Sequence, residues 1–341
     1  MKILVIGGTG LISAPFVAQF AERGDQVTVC NRAKRQKELP AGVAQVVADR
    51  TDYQAFETKM RELERFDVVI DMVNYQPEDA LSLSRAFAGR VGQMIVCSTV
   101  DVYAHPAATL PITENEPYGP TSWDYSTKKA IIEKTLLQAQ ERGDFPLTIL
   151  RPAHTYNDGG ALLHSLGGST TYLDRLRKGK PIITHGDGTS LWVSCHAVDV
   201  ARGFAAAAGN EIAFNKTYHL PGDEWLTWNR IHKIVAEALG APEPTLVHIP
   251  TDLLARALPK RSYISRINFQ YHNIYDSTAA KRDLGFKCSI PFAQGAKRVV
   301  STLDADNRIE NSDNDLAYDK FISAWELLST ELASEISPLE G

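Results

Sequence analysis

The chain has 341 residues, 44% of them hydrophobic and 23% charged, which suits a globular protein with one large or two intimate domains. Its net charge of −5 is uneven: Asp304–Gly341 holds ten acidic and two basic residues, leaving 34 basic and 31 acidic side chains for the rest. A body that nearly neutral excludes an electrostatic case for nucleic acid, and no apolar run approaches membrane-spanning length. Lys2–Ile6 is a short apolar strand running directly into glycines, so no signal peptide is expected. Cys30, Cys97, Cys195 and Cys288 are scattered without metal-ligand spacing. They predict reduced thiols in a cytoplasmic protein and no metal site.

The first half alternates strand and helix. Strands are predicted at Lys2–Ile6, Gln26–Asn31, Val43–Ala48, Asp67–Asp71, Gln93–Ser98 and Leu147–Arg151. Helices are predicted at Gly10–Arg23, Thr51–Arg65, Pro77–Gly89 and Ser122–Arg142. Repeated β-α units with short connections imply an α/β fold, a Rossmann-type doubly wound parallel sheet with right-handed crossovers. Ligands then sit at the carboxyl ends of the strands. After Arg151 the rhythm breaks. Thr155–Ser169 reads as a loop rich in Gly, His and Asn, and Lys178–Gly188 as turn-rich. Val198–Ala208 reads as a helix returning to the first domain, Tyr218–Leu220 as a short strand, and Trp228–Leu239 as a helix ended by Gly240. Tyr318, Phe321, Ile322, Trp325, Leu328 and Leu332 fall at helical spacing, an amphipathic helix suited to docking on its own domain or to a homodimer contact. The expected organisation is a dinucleotide-binding domain of residues 1–154 plus about 193–217, a smaller substrate-binding domain of 155–192 plus about 218–303, and an acidic extension from 304 to 341.

Gly7-Gly8-Thr9-Gly10 closes the first strand. A tight glycine turn lets the backbone approach a pyrophosphate, and the following helix offers unsatisfied N–H groups and a positive dipole end. Gly7 and Gly10 take the first two positions of the dinucleotide motif and Ser13 the third, where a small residue is needed. Thr9, Leu11 and Ile12 belong to the same expected contact set. The second strand ends in Asn31-Arg32, with Lys34 and Arg35 following and no carboxylate for a ribose 2′-hydroxyl. Arg32 is suited to stack on adenine and pair with a 2′-phosphate, which favours NADP over NAD. Asp49 and Arg50, at the end of the third strand, are expected at the adenine edge.

Tyr125 and Lys129 stand four apart on a predicted helix, one turn along the same face. An unperturbed phenol has a pKa near 10, and a cation one turn away favours the phenolate. Thr99, after Ser98 at a strand end, would hold a substrate hydroxyl against the Tyr oxygen while hydride moves to or from the cofactor.

In this order the motifs resemble the extended short-chain dehydrogenase/reductase superfamily, in its NAD-dependent epimerase/dehydratase branch. The resemblance covers roughly residues 1–300. Besides the glycine turn, Tyr125 and Lys129, it rests on Cys97-Ser98-Thr99-Val100-Asp101-Val102-Tyr103, Leu150-Arg151-Pro152, Gly186-Asp187-Gly188, and His196 with Asp199-Val200-Ala201. Asp276-Ser277 before Leu284-Gly285-Phe286 extends it. The resemblance implies that Thr99, Tyr125 and Lys129 form a catalytic triad. It also implies an NAD(P)-dependent epimerase or dehydrogenase acting on a hydroxyl or keto carbon of a sugar or sugar derivative.

Three departures bear on that substrate. The family's 4,6-dehydratases follow the catalytic Thr with an acidic pair, and here Val100 replaces one member beside Asp101. His154 stands where many sugar-nucleotide enzymes have Asn, and Trp192 where they have an Arg that clamps the diphosphate. An indole cannot replace the charge-assisted bonds of a guanidinium. Arg266 is a candidate to compensate, and Trp192 to stack on a ring. Asp101 and His154 are candidates for a second acid or base. Two other readings follow. One is net NADPH-dependent carbonyl reduction. The other is a non-catalytic dinucleotide sensor or RNA-binding relative, since plastid stem-loop RNA-binding proteins share the Gly-Gly-Thr-Gly start and the Asn-Arg strand end. The near-neutral body disfavours RNA, and the intact Tyr-Lys pair disfavours a pure sensor.

Overall fold

The computed structural model describes residues 1–34, 38–119 and 123–340. The chain divides into two compact units. The first comprises Met1–Asn157, Val193–Trp225 and His272–Phe292; the second comprises Asp158–Trp192, Leu226–Tyr271 and Ala293–Gly341.

The first unit is built on seven parallel strands: β1 (Lys2–Ile6), β2 (Gln26–Asn31), β3 (Ala44–Val47), β4 (Phe66–Asp71), β5 (Val91–Cys97), β6 (Leu147–Pro152) and, seventh, Lys216–Leu220. Their spatial order is the seventh strand, β6, β5, β4, β1, β2, β3. The order reverses between β1 and β4, the switch point at which such sheets open a ligand crevice. Side chains alternate between two cores, as a sheet covered on both faces requires. Ile3 and Val5 face the core shared with α1 (Ser13–Glu22) and the helix Ala197–Ala207. Leu4 and Ile6 face the core shared with α2 (Tyr53–Glu62), α3 (Pro77–Phe87) and α4 (Asp124–Glu141). Phe16 of α1 stacks on Phe204 at 5.4 Å between centroids. Burying a side chain of this size contributes roughly 1.5–3 kcal/mol.

The predicted elements of the first half are all present, with boundaries moved by a few residues. The start of the predicted helix at Ser122 lies outside the described residues. Two stretches expected in the substrate domain, residues 218–225 and 272–292, fall in the first unit. Tyr218–Leu220 was expected in the substrate domain, yet its strand pairs with β6, Tyr218 opposite Leu150. Backbone pairing with β6, not position in the chain, assigns this strand to the first unit. Thr155–Ser169 is also less irregular than its composition implies, because His154–Tyr156 forms a strand paired with Ser194–His196.

The second unit has only short strands. Ile182–His185 pairs with Leu246–Ile249, inside a stretch read as turns, and Leu191–Trp192 pairs with Leu226–Thr227. Trp228–Leu239 is a helix capped by Thr227 and ended by Gly240 at φ 65°. The acidic segment is not a separate extension. Arg177 pairs with Asp304 at 2.7 Å, Lys178 and Lys180 each with Asp313 at 2.8 Å, and Arg261 with Asp315 at 2.7 Å. Its helix, Leu316–Ile336, buries Tyr318 and Ile322 as expected, but Leu328 and Leu332 are 60% and 62% exposed. The docking face therefore ends near Trp325. Among the described residues no helix is long and apolar enough to cross a membrane.

Candidate active site

Ile6 ends β1 and the chain turns through Gly7 at φ 111° and Gly8 at φ 74°, left-handed conformations that favour glycine. A Cβ on Gly7 would meet Met72 and Val73 at 3.2 Å, and one on Gly8 would meet Val29 at 2.6 Å. The Gly10 N–H donates to Ser13 Oγ at 2.8 Å. Serine at the third motif position thus closes the turn through its hydroxyl, beyond being small. The first turn of α1 carries no acidic residue, so its positive end is open to an anion. A bare glycine turn before an uncompensated helix end fits a dinucleotide pyrophosphate.

A cavity of about 840 Å³ begins at this turn, where Gly7, Thr9, Gly10, Leu11 and Ile12 line it. It passes Asn31, Arg32, Lys34, Asp49 and Arg50 and ends at Thr99, Asp101, Tyr125, Lys129 and His154. All its lining residues come from the first unit. Asn31 Oδ1 accepts the Ala33 N–H at 2.8 Å and Gln45 Nε2 at 2.9 Å, shaping the loop that exposes Arg32. Arg35 lies outside the described residues. Asp49 accepts hydrogen bonds from the Thr51 backbone and hydroxyl at 3.0 and 2.8 Å. These, helped by Arg32 and Lys34, hold its pKa below the usual carboxylate value. Arg50 is 7% exposed; it donates to the Asp79 carbonyl, lies 3.7 Å from the Asp71 carboxylate and covers the Phe56 ring. Its guanidinium thus braces the cavity wall between β4 and α3.

At the other end, α4 presents Tyr125 and Lys129 on one face. Tyr125 and Thr99 line this end together, and Lys129 Nζ lies 5.9 Å from the Tyr125 ring centroid. Burial pushes the Tyr125 pKa well up, and the Asp101 carboxylate adds to this. Burial pushes the Lys129 pKa down. Thr99 also donates to Asp101 Oδ2 at 2.9 Å. His154 Nδ1 meets Ser194 Oγ at 2.9 Å, and burial lowers its pKa to about 4, so the imidazole is neutral at pH 7. Trp192 and Arg266 are not among the lining residues. In the second unit, the Trp192 ring packs 4.8 Å from Phe269 and 5.4 Å from Trp228, while Arg266 is exposed.

The sequence profile of the NAD dependent epimerase/dehydratase family matches residues 3–220. The chain belongs to this family. Among its relatives, a 2′-dehydrokanamycin reductase of Streptomyces kanamyceticus is 29% identical over 276 residues, 81% of this chain and 77% of that protein. A chloroplast stem-loop binding protein of Arabidopsis thaliana is 28% identical over 260 residues, 72% of this chain and 65% of that protein. The UDP-glucose 4-epimerase of Thermotoga maritima, solved with UDP-glucose, superposes with a TM-score of 0.70 at 22% identity, covering 90% of this chain and all of that one. That of Bifidobacterium longum, solved with NAD+ and UDP, gives 0.68 at 19%, covering 91% of this chain and all of that one. At these identities the structures share the fold.

Membership makes the protein an NAD-dependent enzyme of the epimerase/dehydratase type. Several residues of this epimerase/dehydratase site escape motif reading. Asn74 receives a hydrogen bond from Lys129, Tyr75 places its ring 5.1 Å from Lys129 Nζ, and Ser194 holds His154. The available signal was positional: Asn74 and Tyr75 follow the carboxyl end of β4, beside the switch point.

Proposed function

We propose that the protein interconverts a hydroxyl and a keto group on a sugar or sugar derivative, through Thr99, Tyr125 and Lys129. The observation that carries this reading is that Thr99, Tyr125 and Lys129 converge at one end of the cavity that begins at the glycine turn. Thr99 holds the reacting oxygen. Tyr125 takes the substrate hydroxyl proton as phenolate, or gives it to a carbonyl oxygen as phenol. Burial and Asp101 hold the phenol protonated, the form that donates to a carbonyl. The Lys129 charge acts in the opposite sense and brings the phenolate within reach. A nicotinamide dinucleotide supplies hydride chemistry when bound. Gly7, Thr9, Gly10, Leu11 and Ile12 would hold its pyrophosphate, Asp49 its adenine edge, and exposed Arg32 a 2′-phosphate, so we propose NADP as the preferred form. Asp101 and His154 line the same end. Asp101, on Thr99, is the better placed for a second proton transfer, because His154 stays neutral above about pH 4.

Net carbonyl reduction is the second reading, favoured by the similarity over 81% of this chain to a 2′-dehydrokanamycin reductase. The test offers UDP-glucose, UDP-N-acetylglucosamine and 2′-dehydrokanamycin with each nicotinamide cofactor. Epimerisation gives product without net absorbance change at 340 nm, whereas reduction consumes NADPH one for one. Turnover that survives in Tyr125→Phe would contradict both readings.

A further inference from the structure

The Lys129 ammonium has three N–H donors. One goes to Asn74 Oδ1 at 2.8 Å and another to the Cys97 carbonyl at 2.9 Å. Both partners are neutral oxygens. The carbonyl belongs to the end of β5 and is fixed by the sheet. Asn74 is a side chain, fully buried in the loop after β4, and its Nδ2 donates to the Asp71 carbonyl at 3.1 Å. That bond sets the amide orientation, since a flipped amide would turn its NH2 toward the ammonium. The same loop touches the glycine turn, because Met72 and Val73 are the atoms a Cβ on Gly7 would meet. Tyr75, next along, lays its ring 5.1 Å from Nζ, within cation–π range.

We propose that Asn74 is a positioning residue for Lys129, whose carboxamide oxygen keeps the buried ammonium charged and leaves its remaining donor for the cavity. The inference rests on the function proposed above only for its catalytic meaning. Lys129 is 2% exposed, so it lacks the water that normally stabilises an ammonium. The other groups acting on its charge are Cys97 of β5, Asp71 of β4, Asp79 of α3, Glu133 of α4, and the rings of Tyr75 and Tyr125. Among its hydrogen-bond acceptors Asn74 is the side chain, and therefore the one that substitution can remove.

The test follows the Lys129 Cε resonance against pH in full-length 13C-lysine-labelled protein, assigned by its loss in Lys129→Met. Removing one charge-assisted acceptor in Asn74→Leu should raise the acid dissociation constant of Lys129 by about tenfold or more. Asn74→Asp, which keeps an oxygen there, should lower it. Should the Leu variant fail to fold, Asn74→Ala carries the same expectation. A constant within about twofold of wild type in a folded Leu or Ala variant would overturn the proposal, since tenfold is one pH unit. The shift with undiminished turnover in Tyr125→Phe would uphold Asn74 and remove the proposed function. Lost turnover in Tyr125→Phe without the shift would do the reverse.

Discussion

The two units bury the same kinds of side chain to different ends. In the second unit, the His164 ring stacks on Tyr172 at 4.7 Å, the Tyr172 hydroxyl meets His232 Nδ1 at 2.7 Å, and Ser165 Oγ meets His185 Nδ1 at 2.8 Å. Trp192, Trp228 and Phe269 pack together beside them. These residues form a core. In the first unit, His154, Tyr125 and Lys129 line a cavity at the carboxyl ends of parallel strands. A histidine or tryptophan in an irregular stretch therefore says little about chemistry by its type. Its place relative to a strand end says more.

Three changes probe that contrast. The largest effect is expected at Trp228, which is fully buried. Trp228→Ala should lower unfolding free energy by about 3–5 kcal/mol, measured by urea denaturation. A loss below about 1 kcal/mol would make it a surface residue and dissolve the contrast. Next is acid stability. Burial lowers the pKa of His164 and His232 to about 3 and that of His185 to about 4, from an unfolded value of 6.5. The unfolded chain therefore binds protons as pH falls through 6.5 while the folded one does not. Stability should drop from there toward pH 4 and 3, each imidazole steepening the slope by up to about 1.4 kcal/mol per pH unit. His232→Phe should flatten the slope between pH 6 and 4.5, and an unchanged slope would show that this imidazole is not held neutral. The smallest effect is expected at exposed Arg32. Arg32→Ala should weaken NADP binding about tenfold and NAD binding little, as loss of one charge-assisted contact implies. Equal losses would remove the 2′-phosphate assignment.

Much of the first unit is legible in the sequence because its information is local. β1 reads as apolar residues running into glycines, and Tyr125 with Lys129 as one helical turn. The contacts that complete the site are not local. Asn74 is 55 residues from Lys129 and Ser194 is 40 from His154. No spacing rule joins residues brought together only by sheet order. The Tyr218 boundary failed for the same reason: strand pairing with β6, 68 residues away in chain, decides the unit to which that strand belongs. In the second unit, strands of two to four residues are too short to show a period, so Ile182–His185 reads as turn. The docking face of the last helix is overextended because helical spacing places Leu328 and Leu332 below Trp325 without showing what lies opposite.

The central claim is that Tyr125 exchanges the substrate proton. Its most direct test is Tyr125→Phe, with turnover measured on whichever panel member the wild type converts and NADPH affinity measured by fluorescence titration. The account predicts turnover reduced by about 10²–10⁴-fold with NADPH affinity nearly intact. Turnover within a few-fold of wild type would contradict it.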